Sequence, residues 1–252
     1  MDVKRHWIGL IVAGLLLWPA SALAEETPDN NDKPEFSVTL NIGGGATYSD
    51  DTGVGDFSSE EINGEIAFTA KFGPVFVQLA HADVHNNDSG DDELDTLAVG
   101  YRDTCFGSED LSCVGRVKFA DGASSSVTYR LGITHSHEYP VQSRLISKLA
   151  PALSLTADAV TGDRSESVVT VGFELPMTLG EDNPDAWTVT PAIGVGYGFE
   201  SEQSEPSWGL SLGRDFGQLG FSIGYEGQTS LDENGDYGDV DHSAFVELSW
   251  TF

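Results

Sequence analysis

Polar and apolar residues alternate with a period of two along most of this chain. From residue 36, Phe36, Val38, Leu40, Ile42, Ala46 and Tyr48 share one face of an extended segment, and Ser37, Thr39, Asn41 and Thr47 share the other. In the next segment Ile62, Ile66, Phe68, Ala70 and Phe72 oppose Glu61, Asn63, Glu65, Thr69 and Lys71. The pattern returns at Leu97/Val99/Tyr101, Val127/Tyr129/Leu131/Ile133, Val169/Val171/Phe173/Leu175, Trp187/Val189/Ile193/Val195/Tyr197/Phe199, Trp208/Leu210/Leu212 and Leu219/Phe221/Ile223/Tyr225. Successive side chains of a strand point to opposite faces, so each run predicts a strand with one apolar face. The runs last about 9–13 residues, longer than the usual globular strand and suited to a tilted membrane-crossing one.

The non-apolar face narrows the class further. It is built largely of small residues, as in Thr188, Thr190, Gly194, Gly196 and Gly198, or Ser222 and Gly224. A soluble sandwich would put charge outside and bulk inside. Small polar residues instead suit a barrel interior with apolar side chains turned to lipid. The connections alternate in length. Gly73-Pro74 and Phe216-Gly217-Gln218 are tight, and 178–186 is a longer turn on the same side. Residues 49–59, 86–93, 200–206 and 228–242 are longer and rich in Asp, Glu, Asn, Ser and Gly. The expected fold is all-β, an antiparallel up-and-down transmembrane barrel of about twelve strands, with ten or fourteen as alternatives. Residues 103–160 admit two readings. Either 142–149 and 152–159 are two strands bent at Pro151, or they form one long strand and 114–119 supplies another before Asp121-Gly122.

Lys4 and Arg5 precede an apolar run from Trp7 to Trp18, followed by Ala22-Leu23-Ala24. This layout predicts a secretory signal peptide over 1–24. Residues 25–34 read as a polar lead-in, and 35–252 as one barrel domain. After residue 24 no apolar stretch is long enough for a membrane-crossing helix. The chain carries a formal charge of −29, which excludes phosphate-driven nucleic-acid binding and would favour cations near its surface. Cys105 and Cys113 close a short loop in an exported chain, where a disulfide is expected.

The last strand alternates to its end. Phe252, Trp250, Leu248, Val246 and Ala244 lie on one face, and Thr251, Ser249 and Glu247 on the other. This terminal pattern resembles the insertion signal of bacterial outer-membrane β-barrels, a superfamily of porin-like and autotransporter-like proteins. The resemblance is specific over about ten residues and looser over 35–252; it names no single family. It implies a Gram-negative outer-membrane location in contact with lipid, delivery by periplasmic chaperones, and insertion by the barrel-assembly machinery, which reads Phe252 and the alternate residues before it.

Strand parity puts Glu61, Glu65, Lys71, Arg102, Arg130, Glu174, Glu226 and Glu247 inside, as a lining able to sort solutes by size and charge. The leading expectation is a porin-like passive pore for small solutes, cation-favouring, without catalysis or cofactor. The alternatives are a non-conducting barrel with a structural or surface-binding role, and a lipid-acting barrel enzyme. The loops 86–92 and 232–241 carry spaced oxygen ligands that could hold Ca²⁺, although the second has no Glu at the twelfth position. In Thr134-His135-Ser136-His137-Glu138, Ser136 falls on the face opposite His135, which disfavours a paired nucleophile and base.

Overall fold

The computed structural model describes residues 36–50, 61–86, 90–122, 125–141, 143–162, 165–180, 186–231 and 237–252, all within the unit Glu35–Phe252. The expected signal peptide and lead-in lie outside the described residues.

Fifteen strands form in chain order: β1 (Phe36–Asp50), β2 (Glu61–Phe72), β3 (Val75–Asn86), β4 (Gly90–Cys105), β5 (Ser108–Asp121), β6 (Ser125–Ser136), β7 (Tyr139–Pro140), β8 (Ile146–Leu149), β9 (Ala152–Gly162), β10 (Glu166–Glu174), β11 (Met177–Leu179), β12 (Thr188–Gly198), β13 (Gln203–Phe216), β14 (Leu219–Leu231) and β15 (Tyr237–Thr251). Twelve of them make a closed antiparallel ring. It runs β1 to β6, then β9, β10 and β12 to β15, and β15 pairs back onto β1. Closure leaves no sheet edge with unpaired backbone groups, which is what crossing hydrocarbon with strands requires. At the seam Leu40 faces Trp250 and Ile42 faces Leu248. The Phe252 amide donates to the Val38 carbonyl at 2.8 Å. The end holding Phe36 and Phe252 is called proximal below, and the other distal.

The two faces of the wall differ in kind. Leu131 is 71% exposed and Ile193 64% exposed on the outer face, with Phe68, Leu155, Val171, Leu210, Ile223 and Leu248 in the same situation. On the inner face Ala67 and Ala98 are fully covered, and no large side chain is fully buried among the described residues. The barrel therefore has a wall one residue thick and an apolar exterior. Aromatic residues gather toward the ends of the outer face, where an amphipathic ring bridges acyl chain and water. At the proximal end Trp250 stacks on Phe252 with centroids 5.0 Å apart. Nearby, the Arg214 guanidinium lies 4.6 Å from the Phe216 ring centroid and 5.4 Å from that of Trp187. Toward the distal end Tyr197 meets Phe199 edge-on at 5.3 Å.

Three glycines accept an aromatic ring from the directly opposed residue of the next strand. A Cβ on Gly100, Gly224 or Gly227 would come within 2.4 Å of Phe76, Phe245 or Trp208 respectively. Rings that lie flat over glycine cover the bare backbone and pin the register. The run Gly43-Gly44-Gly45 meets the neighbouring strands at close range. A Cβ at Gly45 would sit 2.7 Å from the Ala244 carbonyl oxygen and one at Gly44 3.0 Å from that of Asn63.

The middle of the chain corrects the sequence reading. Residues 108–121 and 152–162 each cross the barrel, so 142–149 neither joins 152–159 in one long strand nor crosses by itself. Instead β7, β8 and β11 pair in series onto the start of β12, as a small sheet at the proximal end. Pro151 and Pro176 explain the departure. Neither has an amide proton for a ladder, yet their carbonyls accept from His137 and Ala150 at 3.3 and 2.9 Å. The distal connections are also shorter than expected. β3 reaches Asn86 and β4 resumes at Gly90, the turn after β12 spans 199–202, and the last gap is only 232–236. Polar residues there remain in the ladder because antiparallel hydrogen bonding does not depend on side-chain polarity. At the 199–202 turn, the Glu200 carboxylate accepts from the Ser167 amide at 2.6 Å and from its hydroxyl at 3.1 Å. The amide hydrogen bond first holds this carboxyl below its ordinary pKa.

Cys105 and Cys113 are bonded, with Cα atoms 5.7 Å apart, at the proximal tip of the β4–β5 hairpin. The turn itself is Phe106-Gly107, both with positive φ, of 56° and 70°. Such a turn matches the twist of a hairpin but is costly for phenylalanine, and the crosslink fixes the strands beside it. Cys113→Ser should leave the barrel assembled and lower its unfolding free energy by about 2–3 kcal/mol, the chain-entropy value for so short a loop. Denaturant titration with and without reductant checks this; wild type and variant should coincide once reduced.

Candidate functional site

The inner wall carries the chemistry, and register shows how its charges are grouped. Gly100, Arg116, Arg130 and Asp158 occupy directly opposed positions on β4, β5, β6 and β9, a single row around the barrel. Arg130 Nε donates to Asp158 Oδ1 at 2.7 Å, and Nη2 donates to Oδ2 at 2.5 Å. This is the two-pronged pairing that a planar guanidinium makes with a carboxylate. Arg102 projects from the row nearer the proximal end, opposite Val114, and Lys118 from the row nearer the distal end, between Ala98 and Thr128. The fully covered Ala98 stands beside Lys118, and the Phe76 ring occupies the space over Gly100. Among the described residues no ion pair joins Arg102, Arg116 or Lys118 to a carboxylate. Arg116 Nε is buried without a hydrogen-bond partner.

Carboxylates form a separate group around β1. Glu65 and Glu247 both oppose Gly43, one from each side, so the absent side chain gives two carboxylates space. Glu61 opposes Thr47 at the distal end, and Lys71 opposes Ser37 at the proximal end. Glu174 opposes Ala152 and Ala192, and Glu226 opposes Gly209 and Ser243. Thr, Ser and Gly recur on the rest of the β12–β15 wall, with Ala192, Gln228, Asp241 and Phe245 among them. Two open cavities follow it. One of about 620 Å³ at the proximal end is lined by Thr188, Ser222, Glu247 and Ser249 together with Lys148 of β8 and Thr178 of β11. The other, about 380 Å³, is lined by Thr170, Ser207, Glu226, Asp241 and Ser243 among others.

The eight residues expected inside thus stand on strand faces opposite the exposed apolar ones, but they do not form one cluster. Arg102 and Arg130 belong to the cationic wall; the six others are dispersed. Arg116, Lys118 and Asp158 complete that wall and were absent from the sequence expectation. Their signal is in Val114-Gly115-Arg116-Val117-Lys118-Phe119, where Arg and Lys alternate with Val and Phe.

The histidine segment does not assemble a site. His135 opposes Leu111 and Leu153 on the outer face, and Ser136 opposes Ala152 on the inner one. His137 Nδ1 lies 3.0 Å from Asp110 Oδ1. His81 stands within β3, and its Nδ1 lies 2.8 Å from Asp95 Oδ1. Among the described residues no group of three or more His, Cys, Asp or Glu is arranged to hold a metal ion. Residues 87–89 and 232–236 of the two candidate Ca²⁺ loops lie outside the described residues.

No protein-family pattern matches the chain, and no curated protein matches it in sequence. Solved structures do. The β domain of a Bordetella autotransporter, BrkA, superposes with a TM-score of 0.56 at 9% identity, covering 88% of this chain and 100% of that one. The NanC porin gives 0.52 at 10% identity, covering 84% and 98%. The translocator domain of the autotransporter NalP from Neisseria meningitidis gives 0.51 at 12% identity, covering 99% and 98%. The fold is that of a bacterial outer-membrane β-barrel. At such identities the likeness concerns architecture, and the same ring serves both porins and translocators. Function has to be argued from the lumen.

Proposed function

We propose that this barrel is a passive pore for small hydrophilic solutes. The carrying observation is the interior: a polar lining of small residues and, among the described residues, no packed core inside the ring. A twelve-stranded ring stands between small barrels filled by their own side chains and wide open porins. Ser, Thr and Gly recur along β12–β15 and line the two open cavities, while the Phe245 ring lies over Gly224.

In this reading the proximal end faces the periplasm and the distal acidic end faces outward. Residues 1–24 direct export. Val246, Leu248, Trp250 and Phe252 are read by the assembly machinery as β15 is delivered to close on β1. The outer carboxylates enrich cations near the entrance. Selectivity inside follows the wall, whose charges do not share the sign of the chain as a whole.

The purified, folded protein in a planar bilayer should give stepwise currents that scale with KCl concentration. A folded preparation that stays at the bilayer background would overturn the pore. It would favour a second reading, a closed barrel with a structural or surface-binding role. One observation already points that way: Lys148 and Thr178 of the small proximal sheet line the same cavity as Glu247 and Ser249, so this sheet narrows the lumen at that end.

A further inference from the structure

One wall of the lumen departs from the charge of the chain. The whole sequence has twelve Lys and Arg against forty-one Asp and Glu. Five of those scarce cations, Lys71, Arg102, Arg116, Lys118 and Arg130, stand on the inner faces of β2, β4, β5 and β6. Four of them occupy three adjacent rows of one wall. Asp158 is engaged by Arg130 on both oxygens, and Glu65 is the carboxylate within electrostatic range of Lys118. Among the described residues Asp158 is the one carboxylate ion-paired with these four cations. Arg116 and Arg130 are also directly opposed. Like charges at directly opposed strand positions destabilise a sheet, and the row continues to Gly100 on one side and Asp158 on the other.

We propose that the Arg102–Arg116–Lys118 wall is a binding subsite for an oxyanion, a carboxylate or phosphate group carried by a small hydrophilic solute. A guanidinium fork matches either group with two parallel hydrogen bonds. Arg116 holds such a fork with no hydrogen-bonded or ion-paired partner among the described residues, Lys118 adds a point charge one row away, and Arg130 is held in place by Asp158. An incoming oxyanion offsets the repulsion between the opposed guanidinium groups. The hydroxyl-bearing wall of β12–β15, across the lumen, accommodates the neutral polar body of the solute. The proposal deepens the pore reading and depends on it only for transport; the binding chemistry stands by itself.

Calorimetric titration of the folded barrel in detergent at low salt tests it, with citrate as the carboxylate probe and inorganic phosphate as the other. Saturable binding of at least one probe is expected. Arg116→Gln combined with Lys118→Gln should weaken it by about tenfold, the scale of lost charge-assisted hydrogen bonds. Arg144→Gln, in the connection between β7 and β8, should leave it unchanged. If the double variant does not fold, Lys118→Gln alone gives the same readout with about a threefold loss. Binding of only one probe assigns the group. No saturable binding of either, or equal binding in wild type and the lumen variants, would overturn the subsite. Parallel bilayer recordings separate the two ideas. Binding without current would remove the pore and keep the subsite; current with no variant-sensitive binding would do the reverse.

Discussion

Gly45→Val should cripple closure of the barrel, with loss of most of the band that migrates differently before and after boiling in detergent. Gly45 sits on β1 at the seam, opposite Phe245 of β15 and Asn63 of β2. A Cβ there would lie 2.7 Å from the Ala244 carbonyl oxygen and 3.3 Å from Asn63 Oδ1. The first is a backbone atom fixed by the ladder, so it cannot rotate away as a side chain could. Forcing added carbons into such a contact costs about 2 kcal/mol or more, roughly a thirtyfold loss in the folded-to-unfolded ratio. The seam joins the first and last strands, so its pairing closes the largest loop of the chain and has the least local support. Gly64→Val is the control. Gly64 lies on β2 opposite Gly44, and a Cβ there meets nothing within 4 Å. That variant should keep the folded band. Equal yields of folded barrel from the two variants would show that the glycine run serves something other than close strand approach.

The fold was legible because a membrane barrel writes its constraint on every residue. Each strand must turn apolar atoms to lipid and polar ones inward, so parity survives even where charge, glycine or proline interrupts it. β2 shows this: Ile62, Ile66 and Phe68 hold the outer face although Gly64 stands between them. The short strands β7, β8 and β11 were not legible. They lie at the end of the ring, where no lipid enforces alternation, and proline in the connections moves the chain out of the ladder. The lengths of the distal turns were misjudged for a related reason. Outer-face His81, Asp83, Glu93 and Asp95 look like loop residues by composition, yet their backbones continue the β3–β4 ladder.

The site was partly legible. Parity alone is enough to turn Arg102, Arg130, Glu61, Glu65, Glu174, Glu226 and Glu247 inward, but it cannot say which inward residues meet. That depends on register between strands, which one sequence does not specify. Arg130 and Asp158 are separated by twenty-eight residues and become neighbours only because β6 pairs with β9 and the chain between them leaves the ring. A hairpin assumption would have paired β6 with the segment that follows it directly. The same intervening segment hid Arg116 and Lys118, because the assignment of strands around it stayed open. The acidity of the chain does not by itself describe the lumen, since a sum over all residues carries no information about which face each occupies.

Asp158→Ala should therefore have two effects of opposite sign. It removes the only carboxylate bonded to Arg130 among the described residues, and leaves two opposed guanidinium groups in one row. Stability should fall by about 1–2 kcal/mol. The pair is partly open to water, with side-chain exposures of 37% for Arg130 and 15% for Asp158, so screening keeps the loss below that of a fully buried pair. Oxyanion binding should strengthen in the same variant, because the resident competitor for the fork is gone and a second guanidinium becomes available. Denaturant titration reads the first effect, and titration with citrate or phosphate reads the second. Asp158→Ala together with Arg130→Ala should regain part of the stability and lose the added affinity. A single variant that loses stability and binding together would mean that Asp158 shapes the wall as a whole, and that the Arg130 pair is structural in origin.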